Sequence, residues 1–161
     1  MGFTAAGISP TTVTTTQQAP LGFELSVPNG DKGLLTYIYV HNDSGSLIET
    51  AMVVQREDSG DSTAQITTYK VAKSDANALT VQVVGVTHTP IANGSYGFVI
   101  KKGIATVTGQ AAVTHNCPLK GGSAVGTVIH DDADNADQCF GQTLGGSASA
   151  TTFEAYINCM G

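Results

Sequence analysis

The chain has 161 residues, 41% of them hydrophobic and only 12% charged, which suits one domain with a real core and a surface built from Thr, Ser, Asn and Gly. Net charge is −6 with seven Lys plus Arg, so little is on hand to neutralise a phosphate backbone, and the reading is of no nucleic-acid partner. No stretch approaches the roughly 18 apolar residues of a membrane helix, and residues 1–20 lack the basic start and apolar block of a secretory signal, which reads as synthesis in a cytoplasm with no membrane partner.

Residues 1–20 carry no charge and are rich in Thr and Gln between prolines at 10 and 20. Such a stretch prefers extended backbone and has no helical period. It reads either as a disordered tail or as an extended arm that orders on a neighbour. In the second case Phe3, Ile8 and Val13 are its apolar anchors, with Leu21 at its root. Ordering about ten residues costs on the order of 10–20 kcal/mol of backbone entropy, so an arm needs a groove or a strand edge to hold it.

The globular part, residues 21–161, opens on Phe23, Leu25 and Val27 alternating with Glu24 and Ser26, the pattern of a half-buried strand. Pro28-Asn29-Gly30-Asp31 is a turn. Residues 34–40 are apolar on both faces, which predicts a central strand or one lying under an arm. Residues 41–45 turn again, and 51–55, 66–71 and 79–86 read as further strands. Asn93-Gly94 marks a turn before residues 94–107. There Tyr96, Phe98 and Ile100 share one face, Gly103 interrupts, and Ile104 to Val107 resume, which predicts a hairpin. Residues 111–113, 125–129, 139–144 and 152–158 complete about ten short strands. The last alternates Phe153, Ala155 and Ile157 with Glu154 and Tyr156. No run has a sustained helical period, so the fold class is all-β, a single barrel or sandwich.

Chemistry is thin. The histidines, at 41, 88, 115 and 130, and the cysteines, at 117, 139 and 159, make no CxxC or HxxxH pair, so no zinc site is expected. Three cysteines also argue against a disulfide framework. Cys117 and Cys139 read as small core residues and Cys159 as an exposed thiol. In the acidic run 131–137, Asp132, Asp134 and Asn135 are oxygen ligands at near-alternate places. The glycine and glutamate of a calcium loop are missing, and a solvated loop is the expectation. No nucleophile elbow and no phosphate cradle is present, so neither catalysis nor a cofactor is expected.

The segments 37–40 (Tyr-Ile-Tyr-Val), 52–54 (Met-Val-Val), 84–86 (Val-Gly-Val), 91–99 and 103–107, closed by 140–141 and 154–157, follow one another in a telling order. Gly94, Tyr96, Gly97 and Phe98 lead into an apolar strand, and Gly103, Ala105 and Val107 into the next. In this order and spacing the chain resembles the decoration, or cement, proteins of tailed-bacteriophage heads. That resemblance implies a β-barrel bound to the outer surface of the virion head, tying neighbouring major capsid protein subunits together. It implies a homo-oligomer, a trimer before a dimer, with residues 1–20 as the arm that reaches across subunits. The alternatives are another virion component, a tail-tube or head-fibre protein, or a module that binds a host surface or glycan.

Overall fold

Runs rich in Val, Ile, Thr and Tyr, with no helical period, satisfy their backbone hydrogen bonds by pairing as strands. The computed structural model describes residues 7–57, 68–75, 82–130, 139–146 and 151–160. Its strands are β1 (Glu24–Pro28), β2 (Leu34–Asn42), β3 (Val53–Arg56), β4 (Lys70–Lys73) and β5 (Val83–Thr87). Then come β6 (Tyr96–Thr108), β7 (Pro118–Gly121), β8 (Val128–His130), β9 (Gly141–Thr143) and β10 (Thr152–Asn158). All ten join one hydrogen-bonded sheet, so the protein is all-β.

The sheet closes on itself. β2 pairs with β4, β4 with β3, β3 with β5, β5 with β6, and β6 returns to β2. This ring has no free edge, and its interior is filled by Ile38, Val40, Val54, Val71, Val84 and Val99, with Ile48 and Ile91 from the loops. A second circuit runs β6–β10–β9–β7–β8, and Val128 bridges back to Gly109 just beyond β6. Its inner residues, among them Val107, Leu119, Phe140, Phe153 and Ile157, form one core with the outward face of the ring, Tyr37, Tyr39, Phe98 and Ile100. Residues 34–40 are apolar on both faces because β2 separates these two cores, as a central strand should.

β6 joins both circuits, and here the structure corrects the expected hairpin. Residues 96–108 are one continuous strand. Opposite it, Thr36 pairs with Lys102 and Tyr37 with Ile100, so Lys101 is an extra residue without a partner on β2. This β-bulge resets the alternation: Phe98 and Ile100 point into the second core before it, Ala105 and Val107 after it. The parity change is visible in the sequence, but a hairpin produces the same change, and only the pairing tells them apart. Gly103 has φ 117°, and a Cβ there would sit 2.5 Å from the carbonyl oxygen of Leu34. The glycine serves the bend and does not reverse the chain.

Other turns follow the sequence. The 3-10 turn Gly30–Lys32 links β1 to β2, with the Asn29 N–H donating to Gly33 O at 2.7 Å. Asn93 Oδ1 accepts from the Gly45 N–H at 2.8 Å, tying two turns together. Asn42, fully buried, donates through Nδ2 to Ser46 O and Ile91 O and accepts through Oδ1 from Ser44. Residues 111–113 form no extended strand, although Val113 is buried. The strand of that region is β7, concealed in the sequence by its leading proline and flanking glycines.

The described part of the first segment, residues 7–20, lies along the chain's own sheet. Thr14 exchanges backbone hydrogen bonds with Tyr96 at 3.0 and 2.7 Å, and the Gln18 N–H donates to the Tyr39 hydroxyl at 3.0 Å. The segment is a strap across β2 and β6.

Candidate functional site: a cleft beneath the bulge

The bulge takes β6 away from β2 towards β10, and beside it lies a cleft of about 520 Å³. Leu35 and Tyr37 of β2 and Ile100, Ile104 and Ala105 of β6 supply its apolar wall. The turn between β1 and β2 brings Asn29, Asp31 and Lys32, and β10 brings Glu154. Thr87 and His88, at the end of β5, line it as well.

The electrostatics are lopsided. Lys32 and Glu154 form an ion pair with each other. Asp31 has no ion pair among the described residues, so the mouth carries a net negative charge. Tyr37 is only 7% exposed, and its hydroxyl has no hydrogen-bond partner among the described residues, while burial pushes its pKa up. The His88 ring stands edge-on to Tyr37 with centroids 5.1 Å apart. Both of its nitrogens are buried and without a hydrogen-bond partner among the described residues, and burial lowers its pKa.

That depression makes the stability pH-dependent. The unfolded imidazole takes up a proton below its ordinary value of 6.5, while the buried one resists. Stability therefore falls as pH drops below that value and levels off once the native ring is charged too. The melting temperature should decline between about pH 7 and pH 5, and His88→Gln should flatten that decline. An unchanged slope in the variant would assign it to other groups.

The residues singled out in the sequence lie elsewhere. Phe3 and the trio Asp132, Asp134 and Asn135 fall outside the described residues. Ile8 and Leu21 are half-buried against the second core, and Val13 packs against the core of the ring. Cys159 is buried, not exposed: it is 3% accessible and its thiol is pushed up to about 12 by burial. Cys117 and Cys139 are half-buried, not core residues. His115 Nε2 accepts from the Gly146 N–H at 3.3 Å. Among the described residues no group of three or more His, Cys, Asp or Glu is placed to hold a metal. The cleft itself went unforeseen. Tyr37 read as core, Asp31 as turn, and His88 had no role. The parity change in 94–107 was the one local sign that the sheet opens there.

Cleft and ring together define a class: an all-β domain of two strand circuits sharing one bent strand. No family model matches the chain, and no curated protein does. Among solved structures the fold is similar to the N base of head fiber gp8.5 of bacteriophage phi29, with a TM-score of 0.55 and 13% identity. The match covers 77% of this chain and 94% of that one. At this identity what the two share is the fold.

Proposed function

We propose that the chain is a structural protein of a bacteriophage virion, seated on the outside of the head. The observation that carries this reading is the fold shared with the head-fiber base, which takes in nearly the whole of that base. The composition supports it. A chain with only 12% charged residues has few charges to desolvate when it lies against another protein. In the finer reading the protein contacts neighbouring major capsid subunits and cements them. A clasp on two subunits gains from effective concentration, and whatever binds only the assembled shell stabilises it by linkage. The role requires no reaction and no cofactor. A homo-oligomer, trimer before dimer, would match the symmetry axes of such a shell. The likeness to a fiber base favours one second reading: this domain is the foot of a projection and ties nothing together.

The test is co-sedimentation with purified heads lacking the protein, followed by heating of the complex. A cement binds and raises the temperature at which heads release DNA. A foot binds and leaves it unchanged. Failure to bind would overturn both. Deleting residues 2–19 tests the strap in the same assay. Loss of the Ile8, Val13 and Ala19 contacts and of the Thr14–Tyr96 pairing should destabilise the isolated domain by about 2–4 kcal/mol, and the folded fraction should still bind. A truncated domain that stays folded yet loses head binding would assign the capsid contact to the strap.

A further inference from the structure

We infer that the cleft beneath the β6 bulge receives a cationic side chain, arginine or lysine, from the protein on which this domain docks. The inference rests on the proposed function only for what that protein is. Three observations carry it. The wall of Leu35, Ile100 and Ile104 is apolar and suits the aliphatic stem that arginine and lysine bury behind their charge. The Tyr37 side chain lines the cleft, more than nine-tenths buried. Its hydroxyl has no hydrogen-bond partner among the described residues and is open to accept one from a guest in the cleft. A guanidinium or ammonium donates to the phenol oxygen. Asp31 at the mouth stands without an ion pair among the described residues, while Lys32 is already engaged by Glu154. A cation entering there meets unbalanced negative charge, and an anion is repelled.

Other occupants fit less well. A sugar ring stacks on an open aromatic face, and Tyr37 shows too little surface for that; the chain has no Trp. A second copy of this chain is a poor supplier of the cation. Of its seven Lys and Arg, Lys32, Lys70, Lys73 and Lys101 are ion-paired and Arg56 is buried over the Tyr69 ring, and the exposed Lys102 sits amid a net charge that disfavours self-association. A net charge of −6 favours a partner that is basic where it touches.

The experiment is an NMR titration of the full chain with the amides of N-acetyl-arginine, N-acetyl-lysine, N-acetyl-norleucine and N-acetyl-glutamate. The arginine and lysine probes should shift the signals of Tyr37, His88 and Ile104, norleucine should do so more weakly, and glutamate not at all. Asp31→Asn and Tyr37→Phe should each weaken the arginine probe by about threefold with unchanged melting temperature. Equal response to norleucine and arginine, or no response at the cleft, overturns the inference. The same Asp31→Asn variant, added to heads, should bind more weakly than wild type; equal binding shows that docking does not use the cleft. Wild type that takes up the arginine probe but ignores heads leaves the cleft in place and overturns the proposed function alone.

Discussion

Deleting Lys101 should abolish the native fold, while Lys101→Ala should melt close to wild type. The alanine variant loses only the exposed ion pair with Glu24, worth about 0–1 kcal/mol. The deletion instead removes the extra residue that lets one strand serve two circuits. Side chains alternate with a period of two, so dropping one residue inverts everything on one side of the gap. If the second half of β6 shifts, Ala105 and Val107 turn to solvent and Thr106 is forced into the core. If the first half shifts, Phe98 and Ile100 are expelled, though both are almost fully buried. Either outcome loses at least about 4 kcal/mol, at roughly 1.5–3 kcal/mol per buried side chain plus the cost of burying a hydroxyl. Chemical denaturation and dispersion of amide signals would report it. A deletion variant that folds with native dispersion would show that the bulge is not what sets the phase.

Gly103→Val should lower stability by about 3–5 kcal/mol, or on the order of 10 °C in melting temperature for a chain of this length. Two costs add. At φ 117° a branched side chain is strained by its own backbone. The new Cβ would also lie 2.5 Å from Leu34 O and 2.9 Å from Leu35 Cδ2. The side chain of Leu35 can give way, but the carbonyl oxygen is held by the strand. Gly103→Ala carries the same contact without the branching and should fall between. An alanine variant that melts with wild type would contradict the tight bend. Because Leu35 and Ile104 flank the bend and line the cleft, the same substitution should also diminish binding of the arginine probe.

Much of the fold was legible locally, and the reason is the pleat. Phe23, Leu25 and Val27, or Phe153, Ala155 and Ile157, announce a strand with one buried face, because residues two apart share a side. Residues 34–40 announce two buried faces. Pro28-Asn29-Gly30 and Asn93-Gly94 mark reversals through the conformations that Asn and Gly accept. The resemblance drawn from segment order was to head decoration proteins. The fold comparison finds a likeness to the N base of a phage head fiber, and what that likeness shows is a shared fold. The strap could be recognised as extended and uncharged, yet its seat could not be read. Val13 and Ile8 need an apolar surface, and nothing near them in the chain says whose.

By itself, then, the sequence determined that this protein is all-β, which faces of most strands are buried, and where most turns fall. Those properties depend on neighbours within a few residues. Only the tertiary structure decided that residues 94–107 are one bent strand, that the sheet closes into two circuits, that Cys159 is buried, and that Asp31, Tyr37 and His88 meet around one cleft. Each of these depends on pairings between residues far apart in the chain. A period-two pattern records which side a residue faces and carries no record of which strand lies beside it.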